Sequence, residues 1–64
     1  MKQEQFNRLK QMTETIWQAM TANEQEQYYN DTGTIGFVED VSRILYLDVD
    51  DLTDEQMNEI LKQL

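Results

Sequence analysis

The chain has 64 residues, a formal net charge of −8, and neither cysteine nor histidine. A length near the lower limit of independent folding leaves room for one small core. The two missing residue types remove disulfides, thiolate metal sites, the commonest metal ligand and the commonest general base, which disfavours zinc binding and most catalysis.

The charge is unevenly placed. Through residue 22, Lys2, Arg8 and Lys10 outnumber Glu4 and Glu14 by one, which leaves −9 for residues 23–64. An acidic field of this density repels nucleic acids and anionic membranes, whose affinity for proteins rests mainly on Lys and Arg. The opening stretch MKQEQFNRLKQM is polar, and no apolar run approaches the length of a membrane span. The expectation is a soluble cytoplasmic protein folded as one domain over residues 1–64, with no direct nucleic-acid or membrane contact.

Phe6, Leu9, Ile16, Trp17 and Met20 recur at helical spacing, with Met12 and Thr13 filling the gap, and predict a first amphipathic helix. Glu4 stands four residues before Arg8, the favourable orientation for a surface pair. Thr21 followed by Glu24 is a capping-box pattern and predicts a second helix from Ala22 to Asn30 with Tyr28 or Tyr29 turned inward. One continuous helix through to Tyr29 is the alternative, since nothing in AMTANEQ forbids it.

NDTG predicts a turn in which Gly33 takes the left-handed conformation. From Ile35 to Tyr46 the apolar positions Phe37, Val38, Val41, Ile44 and Leu45 predict a third helix, the most buried, with Glu39 reaching Arg43. DVDDL reads as an acidic connector. Thr53 with Gln56 then repeats the capping box ahead of Met57, Ile60, Leu61 and Leu64, with Asp54 and Glu55 at the positive end of the helix dipole and Lys62 in the last turn. The expected fold is an all-α bundle of three or four helices around Trp17, Phe37, Val41, Leu45, Ile60 and Leu61, with short connections favouring antiparallel neighbours.

One segment invites a metal reading. With Gly33 at position 6, the stretch from Tyr28 resembles the second half of an EF-hand calcium loop: Asn30 at position 3, Thr32 at 5, Thr34 at 7, Ile35 at 8 and Glu39 at 12. Tyr28, however, occupies position 1, where a carboxylate belongs. A second frame, Asp48 to Glu59, matches at positions 1, 3 and 12 but puts Thr53 in place of the glycine and Leu52 in place of an oxygen ligand. Gly33 is read as a turn residue, and neither a metal nor a cofactor is assigned.

Catalysis finds little to work with: one serine, Ser42, and no glycine-rich phosphate loop. Carboxylates acting as acid and base would need a concave pocket that a bundle this small seldom has. The function class left is a small acidic interaction or regulatory module. Its expected partner-binding residues are Glu24, Glu26, Tyr28, Tyr29, Asp48, Asp50, Asp51, Asp54, Glu55 and Glu59, and its expected partner is a protein with a basic surface or a second copy joined through the helix 1 stripe. Tyr46, between two leucines, raises the same question of exposure as Tyr28 and Tyr29, because consecutive helical residues cannot all face inward. In size and charge the chain also resembles the small acidic helical proteins of phages and mobile elements that imitate DNA and occupy basic channels, the second function considered. A degenerate calcium-binding hairpin is the third.

Overall fold

Why the chain divides where it does is visible in its caps. The computed structural model describes residues 1–64 as α1 (Gln3–Ala19), α2 (Ala22–Asn30), α3 (Gly33–Ile44), a 3-10 turn (Val49–Asp51) and α4 (Asp54–Lys62). Met20 leaves helical geometry with ψ 148°. Thr21 then closes the capping box: its hydroxyl accepts from the Glu24 amide at 3.2 Å, and the Glu24 carboxylate accepts from the Thr21 amide at 2.9 Å. The single long helix is thereby ruled out. Thr53 and Gln56 form the same reciprocal pair at 3.1 and 3.0 Å and start α4.

α2 and α3 are separated only by Asp31 and Thr32, and Gly33 makes the reversal with φ +75°. Few side chains tolerate that conformation. The helix that follows keeps a second glycine, Gly36, for a different reason. A β-carbon there would lie 1.8 Å from Thr32 Oγ1 and 2.2 Å from Thr32 Cβ, so the turn can fold back over α3 only if Gly36 has no side chain.

α3 begins and ends two residues earlier than its apolar spacing predicts. Its end is a Schellman motif. The Tyr46 amide donates to the Arg43 carbonyl at 3.1 Å and the Leu47 amide to the Ser42 carbonyl at 2.8 Å. Tyr46 therefore sits in the left-handed position with φ 57°, where glycine is usual.

Seven apolar side chains form the buried core: Phe6, Leu9, Trp17, Phe37, Val38, Val41 and Ile60. α1 supplies one continuous stripe to it, and Thr13 lies within that stripe fully buried. Its hydroxyl donates to the carbonyls of Leu9 and Lys10 at 3.0 and 2.8 Å, which removes the penalty of burying a polar group. Buried Ser42 does the same toward the Glu39 carbonyl at 2.6 Å. The expected core is corrected at its edges, where Leu45 and Leu61 are half-buried; Ile44, on the predicted apolar stripe of the third helix, is 64% exposed.

At one end of the bundle Trp17 meets Phe37, with ring centroids 4.9 Å apart, and Gln25 of α2 donates to the Trp17 carbonyl at 2.8 Å. At the other end Met1 and Asp51 are joined through their backbones, and Gln56 donates to the Met1 carbonyl at 3.3 Å. Between these ends Lys10 pairs with Glu59 at 3.1 Å, and Gln63 donates to the Lys10 carbonyl at 2.8 Å. α3 thus runs antiparallel to α1, whereas α4 runs parallel to it. The expectation of antiparallel neighbours fails for α1 and α4 because α3 and the connection from Leu45 to Thr53 return the chain to the start of α1 before α4 begins.

The accessible surface is 4504 Å² and the radius of gyration 11.1 Å. A folded monomer of this mass and length is expected at about 4300 Å² and about 10.7 Å. Phe6, Leu9, Thr13 and Trp17 of the α1 stripe are buried in the chain's own core, and Met12, Ile16 and Met20 are half-buried. No helix is long and apolar enough to cross a membrane.

Candidate functional site

The ten residues singled out from sequence do not form one surface. Glu24, Glu26, Tyr28 and Tyr29 belong to α2, at the Trp17 end. Asp48, Asp50, Asp51, Asp54 and Glu55 belong to the 3-10 turn and the start of α4, at the Met1 end. From Gln3 to Trp17 along α1 is about 21 Å at 1.5 Å per residue, in a molecule 33 Å long. Glu59 belongs to neither group, because Lys10 neutralises it.

At the Trp17 end the side chains are engaged with one another. Glu24 is consumed by the capping box, and the Thr21 amide and hydroxyl that bond it hold its carboxyl below the ordinary carboxylate range. Tyr28 is half-buried against Phe37 and Trp17, with centroids 5.2 and 6.4 Å away, and its hydroxyl donates to Asp40 Oδ2 at 2.8 Å. That bond to a carboxylate, with burial, raises the phenol above its ordinary value. Asp40 accepts in addition from Arg43 at 3.0 Å, so Arg43 pairs chiefly with Asp40 and only at 4.0 Å with Glu39. Tyr29 remains 56% exposed but lies edge-on to Trp17 at 5.6 Å. Arg8 forms no ion pair, so the expected pairing with Glu4 is absent.

The Met1 end is different. Asp48, Asp50, Asp51, Asp54 and Glu55 fall within eight residues that contain no Lys or Arg, and all five are exposed. Asp48 is more than connector: its carboxylate accepts from the Asp50 amide at 2.9 Å and starts the 3-10 turn. That turn, with the end of α3, borders an open groove of about 330 Å³ lined by Glu39, Ser42, Arg43, Leu47, Asp48, Val49 and Asp50. A second groove, about 200 Å³, lies on α1 beside Arg8 and Met12. Both grooves are open to solvent.

Next to the acidic groove stand two apolar side chains that the fold does not cover, Ile44 at 64% and Tyr46 at 97% exposure. Ile44 follows Phe37 by seven residues and shares its side of α3. Tyr28 covers that side at Phe37 and Asp40 but reaches no further. The apolar spacing puts Ile44 on the stripe of α3, and the stripe continues beyond what α2 covers. Tyr46 was readable as an exposure question, but not as a turn residue, since no glycine marks the end of α3.

The calcium frames do not make loops. Within Tyr28–Glu39 only Asp31 and Thr32 are non-helical, and within Asp48–Glu59 the 3-10 turn and α4 hold most of the ligand positions. A calcium loop must wrap its oxygens around an ion, which a helical backbone does not do. No group of three or more acidic side chains converges as a metal site would require.

No protein-family model, curated protein or solved structure matches this chain.

Proposed function

We propose that the chain is a non-enzymatic, cytoplasmic protein–protein interaction module whose docking end is the acidic one, built by the close of α3, the 3-10 turn and the start of α4, and whose partner presents a basic surface. The observation that carries this reading is the run of five exposed carboxylates from Asp48 to Glu55, held by a turn and two caps, with no Lys or Arg among those eight residues and no ion pair to any of the five. Clustered like charge raises the energy of the free protein and is relieved by an oppositely charged partner, which it also steers. The DNA-mimic alternative asks for a continuous ladder of carboxylates, and acidic groups carried on α2 and on the 3-10 turn with the start of α4 are a weaker match to one.

A peptide alternating Lys and Ser is the probe. Titrated into the isotopically labelled protein, it should shift the amide resonances of residues 42–55 and lose affinity steeply as salt rises. Equal shifts at Glu24 and Glu26 would mean diffuse attraction to a negative protein and would end the proposal. Competition by double-stranded DNA for a basic nucleic-acid protein would favour the mimic.

A further inference from the structure

Tyr46 is in the wrong conformation for the fold's benefit and the wrong environment for its own. Its backbone takes φ 57°, the C′ position of the Schellman motif that ends α3. A β-carbon there is crowded by the following carbonyl, and glycine is the residue that removes the crowding. The motif's two hydrogen bonds, Tyr46 N–H to Arg43 and Leu47 N–H to Ser42, are made by the backbone and ask nothing of the side chain. The ring itself is 97% exposed, in contrast to Tyr28 and Tyr29, which both lie against Trp17. A strained, solvated tyrosine two residues after a largely exposed Ile44 contributes nothing visible to folding. Departures from local rules of this kind concentrate where a surface is used.

We infer that Tyr46 and Ile44 are the apolar anchor of the docking end, and that the partner offers an apolar pocket flanked by lysine or arginine. This rests on the reading of the acidic end as a docking face and adds to it the contact that gives specificity. Charge complementarity selects the occupant. Tyr46 is followed within two residues by Asp48, then Asp50 and Asp51, while Arg43 is held by Asp40 and the Met1 ammonium donates to the Asp51 carbonyl, not to a carboxylate. A second copy of this chain would bring the same carboxylates against themselves, so a heterologous basic segment is the fitting partner. Exposed tyrosine has a large contact area and few torsions to freeze, the properties of an interface hot spot. The turn points the ring away from the core on a short segment braced by the half-buried Leu47 and Val49, which pack on the core.

The test compares two probe peptides of equal length and charge, one alternating Lys with Leu and the other alternating Lys with Ser, against the wild-type protein and the variants Tyr46→Gly and Tyr46→Phe. The Lys–Leu peptide should bind wild type at least about tenfold more tightly than the Lys–Ser peptide. Tyr46→Gly should erase that difference while raising the melting midpoint by roughly 4 °C. Tyr46→Phe should keep the difference and leave the midpoint unchanged, since the ring remains and the backbone strain with it. If Tyr46→Gly binds the Lys–Leu peptide as wild type does, the anchor is refuted although the acidic docking end stands. If neither peptide binds at that end, both readings fall. Concentration-dependent sedimentation abolished by Tyr46→Gly would assign the surface to a second copy and overturn the heterologous partner.

Discussion

The two ends of the bundle both display tyrosine and carboxylate, and they use them in opposite ways. Around Trp17 the tyrosines are drawn into a ring cluster with Phe37, and two of the local acids are committed, Asp40 to Tyr28 and Arg43 and Glu24 to its cap, while Glu26 stays exposed. Around the 3-10 turn the carboxylates are many and unpaired with any cation, and the tyrosine touches nothing. The same residue types are structural where an adjacent helix covers them and available where the covering helix has ended. Exposure and pairing, not composition, separate the two roles.

That contrast can be broken most directly at Trp17. Trp17→Ala should cost about 3–5 kcal/mol, comparable to the whole stability of a domain this small, and far-ultraviolet circular dichroism should report an unfolded chain at room temperature. Tyr46→Ala should barely move the unfolding curve, since the ring packs on nothing. A large loss there would mean that the two ends do not differ as described.

Gly36→Ala sharpens the picture of the turn that brings α2 over α3. A helix-interior glycine ordinarily gains stability on replacement by alanine. Here the new methyl would meet Thr32 Cβ at 2.2 Å, and the expected result in a denaturant titration is a loss of about 1–3 kcal/mol. Pairing it with Thr32→Gly, which removes both the hydroxyl and the β-carbon it would strike, should recover part of that loss.

The caps provide a matched pair, one at each end. Thr21→Ala and Thr53→Ala should each cost about 1 kcal/mol, but only the first carries an acid dependence tied to Glu24. The Glu24 carboxyl is held below its ordinary 4.5 in the folded state, so its contribution is present above that value and is lost as pH falls through the lower folded one. Thermal melts below pH 4.5 should therefore show Glu24→Gln flattening part of the acid loss.

Tyr28→Phe should remove a bond to Asp40 worth about 0.5–1.5 kcal/mol. Tyr28 is raised above its ordinary 10.0, so its contribution is complete below pH 10 and disappears as pH rises through the folded value. The wild type should lose stability faster than Tyr28→Phe in that alkaline range. The smallest effect belongs to the acidic end, where Asp50→Asn with Asp51→Asn should raise stability by about 0.2–0.5 kcal/mol, more at low salt, by easing repulsion between carboxylates that have no cationic partner.

Much of the fold was legible because its signals are local. The Thr21–Glu24 and Thr53–Gln56 boxes start their helices where spacing says they should, Gly33 takes the left-handed turn, and α2 runs from Ala22 to Asn30 as expected. The acidic residues were legible as a set but not as two groups, because their separation depends on which helix ends come together. Tyr28 and Tyr29 adjoin in sequence as candidates for one interface, yet Tyr28 is tied down by Asp40, twelve residues away. Ile44 lies on the apolar stripe of α3 and is nonetheless exposed, because periodicity carries no information about where the neighbouring helix stops.

Taken alone, the sequence determined an all-helical chain, the places where its helices break, the core stripe of α1 and the excess of negative charge. Each of these follows from interactions within a few residues, from hydrogen-bonded caps to the 3.6-residue repeat. Only the tertiary structure decided that α4 runs parallel to α1, that Asp40 is tied to Tyr28 while Asp48 to Glu55 meet no cation, and that Tyr46 stands alone in solvent. These depend on contacts between segments distant along the chain, where the lengths of the helices and the path of the connection after α3 determine what is covered.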